Sequence, residues 1–188
     1  MVDLTTRRGA RVEFLEPERG PRPIEAIGND PCAGVPAMLP KVRERMVEQP
    51  APDVVLDTVD RCLERAGRGT LLTAFYRRAV DDHPDEVRYR HRLASAFVGL
   101  GDVPEALRLV AQVLAADPDY APSLFLKGLL LGSRPPAERT QDVLRQAYAA
   151  WSRLLEVDPT HKGFGTVDTD QVRARVAQWR RTLEKDTP

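Results

Sequence analysis

The chain lacks an excess of either charge: its 188 residues include 28 Lys and Arg and 28 Asp and Glu. The balance is also local, since residues 1–52 carry eight charges of each sign and residues 53–160 carry 14 basic against 16 acidic side chains. Proteins that bind nucleic acid take much of their affinity from neutralising phosphates, which requires a basic domain or stripe. The sequence therefore predicts neither a nucleic-acid partner nor attachment to an anionic membrane surface.

Long hydrophobic runs are also missing. The longest apolar stretch lies around residues 124–131 and contains Lys127, whereas a membrane-spanning helix needs about 18 or more apolar residues. The pair Arg7-Arg8 invites comparison with a twin-arginine export signal, but charged residues follow it where an apolar segment should stand. We therefore expect no membrane insertion and a cytoplasmic location.

Side chains that carry chemistry are scarce, with three histidines and two cysteines. Cys32 and Cys62 have no neighbouring partner motif, so we expect two free thiols and neither a disulfide nor a metal site. His83 and His161 each precede or adjoin a helix end, where a cationic side chain suits the helix dipole. The sequence has no metal-binding histidine spacing, no serine nucleophile elbow and no phosphate-binding glycine loop. No cofactor, no metal and no enzyme activity are expected.

Proline is concentrated at the start of the chain, where residues 1–52 hold eight of the 16 prolines. Because proline fixes φ and lacks a backbone donor, this density predicts that the segment contains no long helix. Residues 11–15 are predicted to form a short extended piece, and residues 40–48 one isolated helix. The remainder is predicted to be an extended arm, which either docks onto the rest of the chain or is disordered.

From residue 53 onward the hydrophobic pattern is helical. Val55, Val59 and Leu63 recur every four residues, which places them on one face of a helix. A glycine-containing turn at residues 66–69 separates this helix from a second one, which ends before Pro84. The remaining helices of this region are predicted at residues 87–100, 103–116, 120–131 and 139–157.

An internal repeat organises these helices, since Pro84 and Pro118 are 34 residues apart. The stretch between them resembles the tetratricopeptide repeat in several positions that occur in the right order. Small residues in both of its helices would allow close approach, while larger ones fill the space beside them. The matching residues are Leu93, Ala94, Phe97, Gly101, Asp102, Ala106, Val110, Asp117 and Pro118.

The resemblance implies an all-α fold, in which antiparallel helix pairs stack as a short right-handed superhelix. Pro118 and Pro159 are seven residues farther apart than the period requires, which predicts an enlarged loop at residues 132–139. A last amphipathic helix within residues 168–186 would cap the exposed end of the array. The expected repeats are residues 53–86, 87–120 and 121–161.

In tetratricopeptide arrays the first helix of each pair lines a concave groove in which peptides bind. By this resemblance, cations on the second repeat and apolar residues on the third would suit a partner segment that carries an acidic group and an apolar anchor. The residues that would line the groove are Asp57, Arg61, Glu64, Arg88, His91, Arg92, Ser95, Val98, Phe125 and Leu129.

One specialisation of the family is not expected. Its chaperone-tail binders use cations of successive first helices to hold a terminal carboxylate. The third repeat offers Pro122 and Leu126 where such cations would stand, and Arg88 alone does not replace them.

The sequence leaves two functions open. The favoured hypothesis is a protein-interaction module, an adaptor, scaffold or assembly subunit that binds a partner through the groove or through the N-terminal arm. The alternative is a structural subunit that self-associates as a homo-oligomer, or whose groove is filled by its own arm. A high ratio of Arg to Lys, with abundant Ala, Val and Pro, is typical of a bacterial source of high GC content.

Overall fold

The computed structural model describes residues 2–3, 13–14 and 22–23 by their backbone, together with residues 32–160 and 167–185 in full. The chain divides into two compact units, residues 1–89 and residues 90–188. The boundary between them falls within one helix, α4 (Val87–Gly99). Each unit is described by itself below.

The first unit begins with three short antiparallel strands. They are β1 (Val2–Asp3), β2 (Glu13–Phe14) and β3 (Arg22–Pro23), in the order β1-β2-β3. Strand β2 pairs with both neighbours and lies inside the predicted extended piece, of which residues 11, 12 and 15 are outside the described residues.

A longer helix than predicted follows, α1 (Val35–Glu48), so the expectation that the proline-rich segment holds only a helix at 40–48 was wrong. Pro36 lies in the first turn, where a backbone N–H has no helical partner in any case, and only Pro40 removes an internal hydrogen bond. The helix is held by packing, because its apolar residues recur at spacings of four, three and four. The buried residues of α1 are Val35, Leu39, Val42 and Met46.

The helix pair α2 (Asp53–Arg65) and α3 (Gly69–Asp82) lies within the first predicted repeat, residues 53–86. Gly67 has φ of 64°, a left-handed conformation that a glycine adopts without strain. This conformation lets the amides of Gly67 and Arg68 bond to the carbonyls of Glu64 and Leu63, at 2.9 and 2.8 Å, which closes the end of α2. The glycine turn between the helices is therefore confirmed.

A disulfide bond joins Cys32 to Cys62, so the prediction of two free thiols was wrong. Sequence reasoning found no partner motif because the two residues are 30 positions apart. They meet because α1 folds back against α2 and α3, which brings the segment before α1 beside the second half of α2.

The second unit contains the rest of α4 and the helices α5 (Val103–Ala116), α6 (Ala121–Gly132), α7 (Gln141–Val157) and α8 (Thr169–Lys185). Their bounds agree with the predicted helices to within two residues. Gly101 (φ 78°) ends α4 by the same backbone bonds as Gly67, and the Asp102 carboxylate then accepts a bond from the Glu105 amide at the start of α5. The predicted enlarged loop contains a short 3₁₀ helix, Pro136–Glu138.

Two tryptophans form the centre of the second unit. The Trp151 ring on α7 lies 5.0 Å from the Trp179 ring on α8, centroid to centroid, and its Nε1 donates to the Phe125 carbonyl at 2.9 Å. Gly128 and Gly132 on α6 make room for these rings, since a Cβ would stand 2.1 Å from Trp151 Cδ1 and 2.3 Å from Trp179 Cζ2. Helix α8 therefore packs closely on α6 and α7; that it caps a longer array stays a prediction.

Candidate partner-binding surface

Three of the predicted groove residues lie on α2 in the first unit. Asp57, Arg61 and Glu64 are exposed and, at spacings of four and three, share one helix face. Arg61 donates to the Thr58 hydroxyl at 3.3 Å. Partial desolvation, and secondly the charge of Asp60, raise the pKa of Glu64. This α2 face is therefore a mixed-charge surface that is open to solvent.

Arg88, also in the first unit, is already paired within the chain. Its guanidinium forms two bonds with the Glu86 carboxylate, at 3.0 and 2.9 Å, and one with Asp53 at 3.2 Å. The hydrogen bonds from Arg88 lower the pKa of Glu86, and the pKa of Arg88 is raised in return, mainly through those bonds. A partner carboxylate would have to compete with two acids for this cation.

His91 in the second unit is enclosed by the start of α6. Its Nδ1 lies 2.9 Å from the Ser123 hydroxyl, and its ring meets Tyr120 edge-on at 5.5 Å. Burial lowers the pKa of His91 to about 4, with a further contribution from the charge of Arg92. The imidazole is therefore neutral at pH 7 and does not supply the positive charge expected of it in the groove.

Phe125 is a core residue, so its predicted position in the groove is contradicted. Its side chain is 3% exposed and stacks on Trp151 with 5.9 Å between ring centroids. Leu129, one turn further along α6, is partly buried and packs at the edge of the same core. Of the two predicted apolar anchors, only Leu129 keeps part of its side chain accessible to solvent.

The remaining predicted residues lie along α4. Arg92, Ser95 and Val98 are partly exposed and follow one another at spacings of three, so they lie along one side of the helix. The Ser95 hydroxyl donates back to the His91 carbonyl at 3.3 Å. With Leu129 they define what we call the α4–α6 surface, which combines one cation, one hydroxyl and two apolar side chains.

Two features of these surfaces were missed by the sequence analysis. Asp53 and Glu86 neutralise Arg88, and Tyr120 with Ser123 enclose His91. Glu86 stands two residues before Arg88 and was therefore detectable as a local pair. The sequence could not show that Ser123 contacts His91, because the two residues are 32 positions apart and meet only through the packing of α6 beside α4.

Among residues 32–160 and 167–185 no three His, Cys, Asp or Glu side chains are grouped so that they could hold a metal ion. In the same residues, no helix has both the length and the hydropathy that a membrane crossing requires.

Comparison with known proteins identifies the fold. Neither a protein-family model nor a curated protein matches the chain. Solved structures do match, and the three described next are each 14% identical to this chain. The Arabidopsis OM64 TPR domain has a TM-score of 0.52, with 75% of this chain and 96% of that one covered. The first TPR of Spaghetti, bound to an HSP90 peptide, also scores 0.52 and covers 77% and 97%.

The third structure is the Sgt2 TPR domain from Aspergillus fumigatus, with a TM-score of 0.51 and coverage of 77% and 80%. At this identity the matches establish the fold and not the function. The fold is a tetratricopeptide-like α-solenoid, as the resemblance in the sequence predicted.

Proposed function

We propose that the protein is an interaction module that binds a segment of another protein, as an adaptor, scaffold or assembly subunit. The observation that carries the proposal is the fold, because a structure of the same fold, the first TPR of Spaghetti, is bound to a peptide. Helical repeats of this kind present extended surfaces built from successive helices. We expect no enzyme activity of its own, no nucleic-acid partner and no cofactor.

The α4–α6 surface is the proposed contact in the second unit. Arg92 would meet an acidic group of the partner, and Val98 with Leu129 would receive an apolar side chain. This surface is supported by the neighbouring His91–Ser123 contact, which joins α4 to α6 and fixes the spacing of the two helices there. The α2 face of Asp57, Arg61 and Glu64 is a second proposed contact, in the first unit.

The partner segment need not end in a carboxylate. A terminal carboxylate would need cations at positions 122 and 126, but these positions hold the uncharged Pro122 and Leu126. Arg88 is engaged by Glu86 and Asp53. The proposed ligand is therefore an internal or terminal segment that is recognised by its side chains.

A second candidate function rests on α1. This helix belongs to the proline-rich arm and packs against α2 and α3 of its own chain. An arm that folds back in this way suits the alternative of a self-associating structural subunit, in which the repeats are partly covered by the arm. Under this alternative the full-length chain forms a homo-oligomer and needs no other protein.

A pull-down from native cells tests these functions. The full-length protein is compared with an Arg92→Glu, Val98→Asp variant, and with an Arg181→Glu control on the exposed side of α8. We expect the double variant to lose the partner, while the control retains it and both keep the helical circular dichroism of the wild type. Equal capture by all three proteins would remove the α4–α6 surface from the proposal. A chain that captures only itself would favour the homo-oligomer.

The proposed cytoplasmic location has a consequence for the disulfide. Disulfides persist in oxidising compartments, and those of cytoplasmic proteins are usually transient, catalytic or redox-sensing. A cytoplasmic protein with the Cys32–Cys62 bond would therefore gain and lose that bond as the redox conditions change.

A further inference from the structure

The Cys32–Cys62 bond is reachable from one side only. Cys62 lies on α2 and is 3% exposed, whereas Cys32 precedes α1 and is partly exposed. Thiol–disulfide exchange needs an attacking thiolate that approaches one sulfur along the axis of the bond. Attack on Cys32 is therefore the accessible route.

At the start of α1 the disulfide is joined by the packing of Val35 and Leu39, which are 4% and 6% exposed, but this helix end is poorly capped. Its N-cap is Gly34, which offers no side-chain acceptor, and its first turn carries no acidic residue to complement the helix dipole. Pro40 deprives the helix of one further backbone hydrogen bond. The first half of α1 is therefore a weak helix that the disulfide attaches to α2.

The other end of α1 is held without the disulfide. The Met46 carbonyl accepts a hydrogen bond from His83 Nε2, and the buried Ala51 amide donates to the Tyr89 hydroxyl at 2.7 Å. Met46 itself is 1% exposed. These contacts join the end of α1 to the residues that follow α3, and none of them involves a sulfur atom.

We propose that Cys32 and Cys62 form a redox-controlled clasp: reduction releases the first half of α1, residues 35–40, while its second half stays bound. On α2 the side chains of Val55 and Val59 share the face of Cys62, because they precede it by seven and three residues. Release of the clasp would uncover apolar surface on this face. The proposal is independent of the partner-binding proposal, since it concerns contacts within the first unit alone.

The reaction requires a dithiol reductant as its second reactant. A thiolate of the dithiol attacks Cys32 Sγ and forms a mixed disulfide, and Cys62 Sγ leaves as a thiolate that takes up a proton. The second thiol of the reductant, deprotonated, then displaces Cys32 Sγ, which is protonated in turn. Two electrons pass to the protein, which ends with two thiols, and the reductant ends with one disulfide.

Hydrogen exchange of the full-length protein, with and without dithiothreitol, tests the clasp. Reduction is expected to speed exchange in peptides that cover residues 35–42 by about tenfold or more, since the covalent link that restricts local opening there is gone. Peptides from residues 43–48 and from α5 and α7 should change much less. Unchanged exchange at 35–42, or equal acceleration along the whole chain, would overturn the proposal.

Two variants separate the clasp from a general loss of stability. Cys32→Ser should exchange rapidly at residues 35–42 whether or not dithiothreitol is present, because no bond can form. Cys32 is chosen because Cys62 is buried and its replacement perturbs packing. Tyr89→Phe removes the contact at the other end of α1, and in the oxidised protein it should leave exchange at residues 35–42 as slow as in the wild type. A Cys32→Ser protein that exchanges as slowly as the oxidised wild type would contradict the clasp.

Discussion

Both units of the chain have a buried apolar core, but they differ in what accompanies it. The first unit adds specific links: a disulfide, the Ala51–Tyr89 bond and a hydrogen bond from the Tyr76 hydroxyl to the Asp60 carboxylate. The second unit uses a packed core in which two tryptophans lie against glycines of α6. A packed core is destabilised when side-chain volume is removed, whereas a specific link is lost when a single bond is broken. The units should therefore respond to different perturbations.

The largest expected effect is the loss of the Trp151 side chain. Trp151→Ala removes a ring that is 4% exposed, leaves a cavity beside Gly128 and should cost about 4 kcal/mol of unfolding free energy. Urea denaturation followed by circular dichroism measures this loss. Val47→Ala, at a side chain that is 60% exposed, is the matched control and should change the stability little. A loss below that of a surface substitution would show that the second unit is not held by this core.

Next in size is the covalent link of the first unit. Cys32→Ser removes the covalent link between two residues that are 30 positions apart. The free energy of unfolding should fall by about 3 kcal/mol, chiefly because the unfolded chain regains conformational freedom. Denaturation of the oxidised wild type and of the variant gives the difference directly. The same variant measured in a dithiol reductant should show no further loss, while the wild type should fall to its level.

Acid should weaken the second unit through His91. Its pKa is lowered by burial from 6.5 to about 4, so the folded state favours the neutral ring. The stability from this group is complete above pH 6.5 and is lost as the pH falls towards 4, by at most about 3 kcal/mol. Glu86, whose pKa is lowered by Arg88, adds its own loss only below the ordinary pKa of a glutamate, 4.5. Melting temperatures between about pH 7 and pH 4.5 should fall in the wild type and much less in His91→Gln.

The smallest expected effect concerns one hydrogen bond of the first unit. Tyr89→Phe keeps the buried ring and removes the hydroxyl that accepts from the Ala51 amide, which should cost about 1 kcal/mol. Thermal unfolding measures this loss. Phe75→Tyr changes another buried ring without removing a hydrogen bond, so it shows the effect of altered packing alone. A neutral Tyr89→Phe variant would mean that water replaces the hydroxyl at Ala51.

The helices after residue 53 could be predicted because local rules place them. Gly67 and Gly101 adopt the left-handed conformation that ends a helix, and apolar residues recur with the helical period between them. Helix α5 was predicted with the bounds that the structure has, 103–116. In these segments backbone preference and burial agree, so the sequence pattern is sufficient.

The features that were missed depend on contacts between distant segments. Helix α1 contradicts local proline rules because burial of Met46 and its neighbours offsets the bond lost at Pro40. The disulfide and the core position of Phe125 follow from how helices pack, which the repeat register does not specify. The register indicated the helix face of each candidate residue but not its neighbours, so the neutral His91 and the pairing of Arg88 with the distant Asp53 were also missed.

The central claim is that the α4–α6 surface binds another protein. The most direct measurement is photo-crosslinking in native cells, with a photoreactive phenylalanine in place of Val98 and, as control, in place of the exposed Ala111 on α5. We predict one crosslinked partner protein from position 98 and none from position 111. Crosslinks from position 98 only to a second copy of the chain or to residues 1–52 of its own would contradict the claim and favour the structural subunit.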